Sequence, residues 1–374
     1  MNDDVPESIA DIQSVHVGTY ESNPDRIESD AGTERQDRAD YEGRFIFELL
    51  QNAVDEMDET ATPAVKIRLT DDRLLVANNG ASFSMEDLYA LTLTTRTTKA
   101  GDTTIGHKGR GFTSVLGVTD NPRVFSESVE AQFHREHSAE TLTQNQVIAD
   151  AFDGEVEADQ VPLLSLPHPA APPADVRSLL EDGFTTVFEL PLRDSAQHHG
   201  AIQRKLQSLG TNTVALLPEL ARIDIECPTW ERSWRLSRQE FRDAENATLI
   251  EVGRETVDGG STSATTNWYC LFERTEIDSD RVAERAELTD PEIDAMGQLR
   301  VGVAFRATPA TNAPAAEMSD WALNPVYGES RDRPPMVHVF LPTKERSPIP
   351  ALVTGTFQSD TSRRNLTLDH DGEH

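Results

Sequence analysis

The stretch Phe45-Ile46-Phe47-Glu48-Leu49-Leu50-Gln51-Asn52-Ala53-Val54-Asp55-Glu56-Met57 carries the first strong periodic pattern in the chain. Phe45, Ile46, Leu49, Leu50, Ala53, Val54 and Met57 recur at three- and four-residue steps, the period of an amphipathic helix. On its polar side Glu48, Asn52 and Asp55 fall at i, i+4 and i+7, within about 60° of arc at 100° per residue. One face of this helix can pack on a sheet while the other offers a carboxylate, an amide and a second carboxylate to a pocket. Magnesium prefers oxygen ligands and keeps several waters, so one amide oxygen plus phosphate oxygens can hold it. A nearby carboxylate can orient an attacking water.

Downstream, two strand-like runs, 65–69 and 74–77, are separated by the turn Thr70-Asp71-Asp72-Arg73 and end at Asn78-Asn79-Gly80. Asn78 is a short polar side chain able to read the edge of a base, and Gly80 lets the backbone pass close to a ring. Ser84-Met85-Glu86-Asp87 starts a short helix with a loose capping-box pattern, since Asp stands where Glu or Gln is preferred. Residues 92–111 are rich in Thr, Gly and charge, a long polar connection of the kind that serves as a lid. It runs into Gly106-His107-Lys108-Gly109-Arg110-Gly111-Phe112, whose glycines admit a ligand close to the backbone and whose free amides attract phosphate oxygens. This glycine run lacks the Lys-Ser/Thr of a Walker loop and does not directly follow the first strand. Lys99 and Lys108, two of only five lysines, fall here.

The 374 residues, at roughly 150 per domain, predict two domains. Residues 1–40 are polar and acidic and read as a loosely held lead-in. Beyond the first domain, helices are expected at 203–209 and 214–221, with strands at 223–225, 268–272, 299–305 and 337–341. Loops are expected at 258–266 and 307–316. With 34 Lys+Arg against 65 Asp+Glu, the net charge of −31 disfavours direct nucleic-acid binding and, with lysine so scarce, fits a salt-accumulating cytoplasm. The lone Cys227 and Cys270, the start Met1-Asn2-Asp3-Asp4 and the lack of a long apolar run lead to an expectation of a cytoplasmic protein without a membrane segment. His134 with His137, and His198 with His199, have no matched third metal ligand.

Taken in order, 48–55, 78–80 and 105–112 resemble the N, G1 and G2 boxes of the GHKL superfamily of gyrase, heat-shock chaperone, histidine kinase and MutL ATPases. Within it the chain is most similar to the sacsin N-terminal, heat-shock-chaperone-like ATP-binding domain. Gly117-Val118-Thr119-Asp120-Asn121-Pro122, Val124-Phe125-Ser126, and the stretches 341–357 and Ser362-Arg363-Arg364-Asn365-Leu366 extend the likeness over roughly 40–370. The resemblance implies a Bergerat-type α/β sandwich with a mixed sheet over 41–192, helices covering one face, followed by a smaller α/β nucleotide-sensing domain over 193–374. It implies ATP and Mg2+ as cofactors, with Glu48 as the water-activating base and Asn52 as the magnesium ligand. Asp55, Asn78, Gly80 and Thr186 would lie on the adenine side. Gly106, Gly109 and Gly111, with backbone amides as far as Phe112, would hold the phosphates, and Lys99 and Lys108 would belong to the lid. Arg363 and Arg364 are candidates for reaching the terminal phosphate. Most of the superfamily has Asp where this chain has Asn78, and an amide donates as well as accepts. The function so implied is a magnesium-dependent ATPase whose lid closure drives a chaperone-like switch, acting on a protein client or partner subunit or as a homodimer. Two alternatives are a non-hydrolysing ATP sensor that recruits a partner, and the ATPase subunit of a nucleic-acid-processing or defence system.

Overall fold

A computed structural model describes residues 6–40, 45–57, 62–93, 110–218, 220–275, 277, 299–310, 317–328, 333–339, 341–357 and 366. The chain divides into two compact units, residues 1–206 with 224–228, and residues 207–223 with 229–374.

In the first unit the expected helix is present as α3 (Phe45–Asp55), after α1 (Ile9–Ser22) and α2 (Arg26–Asp40). Its sheet is built from β1 (Ala64–Leu69), β2 (Arg73–Asn78), β3 (Arg123–Ser126), β4 (Glu130–Phe133), β5 (Pro167–Pro169), β6 (Thr186–Pro191) and β7 (Arg222–Glu226), in the order β7-β1-β2-β6-β3-β4-β5. Strands β1 and β2 form an antiparallel hairpin with Val65 opposite Asn78, and the Thr70 N–H donates to Arg73 O at 2.9 Å across the turn. Strand β6 lies antiparallel to β2, pairing Asn78 with Thr186 and Val76 with Phe188. Glu226 of β7 accepts both Lys66 at 2.5 Å and Arg68 at 2.7 Å of β1, and these contacts hold its carboxyl below the usual carboxylate range against the opposing effect of burial.

Side chains alternate across a strand, so residues two apart share a face. Leu75, Ala77, Phe125 and Val187 form one face and pack against Val176 and Leu179 of α7 (Ala174–Glu181). Asn78, Thr186 and Phe188 have the opposite parity and project from the other face. The layered α/β architecture is present, with one difference from the expectation of helices on a single face: α7 covers the second. That second face also holds buried Glu189, clamped by Arg73 at 2.6 Å and Arg123 at 3.3 Å. The unit is completed by α4 (Met85–Thr92), α5 (Arg135–Thr143), α6 (Gln146–Ala151) and α8 (Ser195–Ser208), whose last residues pass into the second unit.

Residues 6–40 differ from the loosely held lead-in that the polarity of 1–40 suggests. Ser8 caps α1, accepting the Asp11 N–H at 3.2 Å, and Ile12, His16 and Tyr20 lie buried along one stripe of that helix. Ile27 and Ala31 of α2 are buried too, beside two buried carboxylates. Asp30 accepts the Tyr20 hydroxyl at 3.2 Å, while Glu34 pairs with Arg135 at 2.5 Å and accepts the Leu164 N–H at 3.0 Å. The polar residues in the stripe are matched by distant partners, which a local reading of hydropathy does not reveal.

The second unit consists mainly of antiparallel strands. After the short helix α9 (Thr211–Ala215) come β8 (Trp230–Glu240), β9 (Ala247–Asp258), β10 (Ser261–Arg274), β11 (Val301–Pro309), β12 (Trp321–Asn324), β13 (Met336–Val339), β14 (Leu341–Arg346) and β15 (Leu352–Gly355). They run β8-β9-β10-β11-β15-β13-β14, with β12 also on β11; β13 and β15 are parallel. The expected loop at 258–266 is instead the tip of a hairpin. Asp258 faces Ser261 across Gly259 and Gly260, at φ +54° and +81°, as a two-residue turn between twisted strands requires. Among the described residues no helix is long and apolar enough to cross a membrane.

Candidate functional site

In the first unit α3, the end of β2, α4, β6 and the 3-10 helix Arg110–Gly117 contribute side chains to one cleft of about 720 Å³, open solvent at its mouth included. Five residues marked in the sequence line it: Asn52 and Asp55 from α3, Asn78 from β2, Phe112 and Thr186. Four separated segments of sequence thus converge on one hollow.

The floor is polar but deeply placed. Asn78 is 4% exposed and Thr186 2%, and they are direct partners across the β2–β6 ladder. Asn78 Oδ1 accepts the Gly80 N–H at 3.2 Å, and Thr186 Oγ1 accepts the Phe83 N–H at 3.0 Å. Phe83 is held from behind by Ser126, whose hydroxyl donates to Phe83 O at 2.6 Å. The wall is aromatic: Phe188 meets Phe83 edge-on at 5.6 Å and Phe112 at 5.3 Å. Acidic groups stand nearer solvent, with Asp55 exposed and Glu56 and Asp87 half-buried.

Local chemistry explains why these segments meet. A Cβ on Gly80 would lie 2.2 Å from the Glu56 carbonyl oxygen, and the next residue, Ala81, donates its N–H to that oxygen at 2.7 Å. Only glycine lets the turn after β2 press on the end of α3, so Gly80 shapes the site from behind rather than lining it. Asn79 ties the same turn to the start of β1, accepting the Ala64 N–H at 2.7 Å. At α4 the capping box is complete with aspartate: Ser84 Oγ accepts the Asp87 N–H at 3.2 Å, and Asp87 Oδ2 accepts the Ser84 N–H at 2.9 Å. This fixes the first turn of α4, from which Asp87 and Leu91, at i and i+4, face the cleft.

Glu48, one turn before Asn52, is 5% exposed and is not among the residues lining the cleft. Gly111 is the second residue of the 3-10 helix that carries Phe112. Lys99, Gly106, Lys108, Gly109, Arg363 and Arg364 lie outside the described residues. The sequence reading left out Glu56, Phe83, Asp87, Leu91 and Phe188. Two of these had a usable signal: Phe188 shares a strand face with Thr186, and Asp87 lies one helical turn before Leu91.

Elsewhere, His134 stacks on His137 at 4.6 Å, and His137 meets His168 at 5.5 Å. Burial, then His137 and His134, push the His168 pKa down to about 4. Among the described residues no three His, Cys, Asp or Glu side chains are placed to hold a metal ion.

The segment containing the cleft can be compared with known proteins. Residues 38–220 match the Sacsin domain family. The matched stretch includes α3, β2, α4, the 3-10 helix and β6, and so every element that forms the cleft. The chain is also 35% identical over 100 residues to "Protein NO VEIN" of Arabidopsis thaliana; the match covers 26% of this chain and 4% of that protein. The chain therefore spans a small part of the curated relative it matches.

Proposed function

We propose that the cleft binds ATP with Mg2+ and that nucleotide occupancy works as a conformational switch directed at a protein client or partner subunit. The observation that carries this reading is the meeting of Asn52, Asp55, Asn78 and Thr186, from three separate segments, in one aromatic-walled cleft within a Sacsin-domain stretch. The donor set fits the ligand. Phe112 and Phe188 offer flat apolar surface to a base, Asn78 and Thr186 offer hydrogen bonds to its edge, and Asn52 offers an amide oxygen suited to magnesium. Bound magnesium would offset the phosphate charge, which otherwise meets Asp55, Glu56 and Asp87 in a chain of net charge −31.

In this reading Asn52 holds the metal ion and Asp55 and Asn78 orient the base. Glu48, on the same helix face one turn earlier, orients water for attack on the terminal phosphate. A second reading, a sensor that binds without hydrolysis, is favoured by the burial of Glu48 away from the cleft lining.

Calorimetry of ATP binding in high KCl, with and without Mg2+, tests the proposal, and magnesium-dependent binding is the expected result. Absence of binding overturns both readings. Phosphate release by the wild type that is lost in Glu48→Ala supports the ATPase, whereas binding without phosphate release in either protein supports the sensor.

A further inference from the structure

We propose that Asn78 makes the cleft selective for a purine bearing a carbonyl oxygen at position 6, so that ATP binds but more weakly than its 6-oxo counterpart. This rests on the nucleotide reading of the cleft given above.

The orientation of the Asn78 amide follows from its hydrogen bond. The Gly80 N–H is a donor, and the Asn78 side-chain atom 3.2 Å from it must be the oxygen. Turning the amide over would set two donors against each other. The oxygen is thereby turned towards Gly80, which engages one of its two lone pairs, and Nδ2 with its two hydrogens has no acceptor among the described residues. Thr186, its cross-strand partner, accepts the Phe83 N–H but keeps its proton and a second lone pair, so it can serve a donor or an acceptor. The other buried lining residues, Leu91, Phe112 and Phe188, are apolar.

The deep end of the cleft therefore presents one fixed donor and one adaptable hydroxyl. Carboxylates lie closer to the mouth, and Asp87 Oδ2 already accepts both the N–H and the hydroxyl of Ser84. An exocyclic amine brought to the floor meets the amide hydrogens of Asn78. A 6-oxo group accepts from them, and the adjacent N1–H finds the free lone pair of Thr186. A buried donor left facing a donor is costly, and polar mismatches of this kind carry more discrimination than a change of shape.

The test is calorimetry on the full chain in high KCl with Mg–ATP and Mg–ITP, whose bases differ at position 6 and in the accompanying N1 proton. The wild type is expected to bind ITP about tenfold more tightly than ATP. Asn78→Asp has the same shape, keeps an oxygen for the Gly80 N–H and replaces the donor by an acceptor, so it should reverse the preference. Circular dichroism checks that this variant is folded, and the wild-type comparison stands without it. Equal or tighter ATP binding by the wild type overturns the inference while leaving the nucleotide reading intact. So does a folded Asn78→Asp with an unchanged ratio. Failure of both nucleotides to bind overturns the nucleotide reading and this inference together.

Discussion

Helix α3 and the pair α1–α2 belong to the same compact unit and bury side chains equally deeply, yet only α3 is evident in the sequence. In α3 the buried residues are Phe, Ile, Leu, Ala and Val with Glu48 as the one polar member, so periodicity and burial largely coincide. In α1 and α2 the buried stripe is interrupted by His16, Asp30 and Glu34. Their partners are Thr92, Tyr20, Arg26 and Arg135, three of them on other elements. A polar side chain is inexpensive to bury once its hydrogen bonds are met, and the partner's position is a tertiary fact. The contrast teaches that weak amphipathicity does not mean weak attachment.

The sharpest way to break this comparison is to truncate one fully buried residue on each side. Leu50→Ala in α3 and Ile12→Ala in α1 should each cost about 2–5 kcal/mol in urea unfolding. A loss below about 0.5 kcal/mol for Ile12→Ala would return residues 1–40 to the status of a loose appendage.

Next in size is a pH effect at the contact between α1 and β5. Gln13 Nε2 donates to His168 Nδ1 at 3.1 Å, so the ring is suited to its neutral form. Its pKa is depressed to about 4, and the unfolded chain protonates first as pH falls from the ordinary 6.5. The neutral ring's contribution is complete above about pH 6.5 and declines towards pH 4, by up to about 3 kcal/mol. Unfolding midpoints of the wild type and His168→Gln should converge across that window; a constant difference would remove His168 as the cause.

Gly80→Ala probes the α3 side at the site itself. The new methyl group meets the Glu56 carbonyl, and a loss of about 2 kcal/mol is expected, with displacement of the turn that bears on Asn78. Unchanged unfolding would show that the turn relaxes freely. The smallest effect should come from Thr92→Val. This removes the oxygen that faces His16 Nε2 at 2.7 Å and the hydroxyl that donates to Tyr89 O, at a cost of about 1 kcal/mol. A neutral result would make α1 independent of α4 at this point.

The cleft was legible where its lining residues fall at fixed offsets within one helix or at the end of a strand. Asn52 and Asp55 follow from helical spacing, and Asn78 from its place at a strand end. Phe83 was not legible, because its position depends on Thr186 and Ser126, each more than 40 residues away. In the second unit, β8 and β9 carry many polar residues along their length, and the Trp230, Trp234 and Leu236 alternation is diluted by arginine and glutamate. The Gly259-Gly260 tip looked like a loop because Ser and Thr flank it, although paired glycines also suit a tight hairpin.

By itself the amino-acid order determined α3, the β1–β2 hairpin and the grouping of oxygen-bearing side chains on one helical face, because these depend on neighbours within a few residues. Tertiary structure alone decided that polar helices at the start of the chain join the core, that α7 covers the second face of the sheet, and that the Asn78 oxygen is turned towards Gly80. Each of these depends on pairing between groups far apart in sequence, where hydrogen-bond satisfaction outweighs local hydropathy.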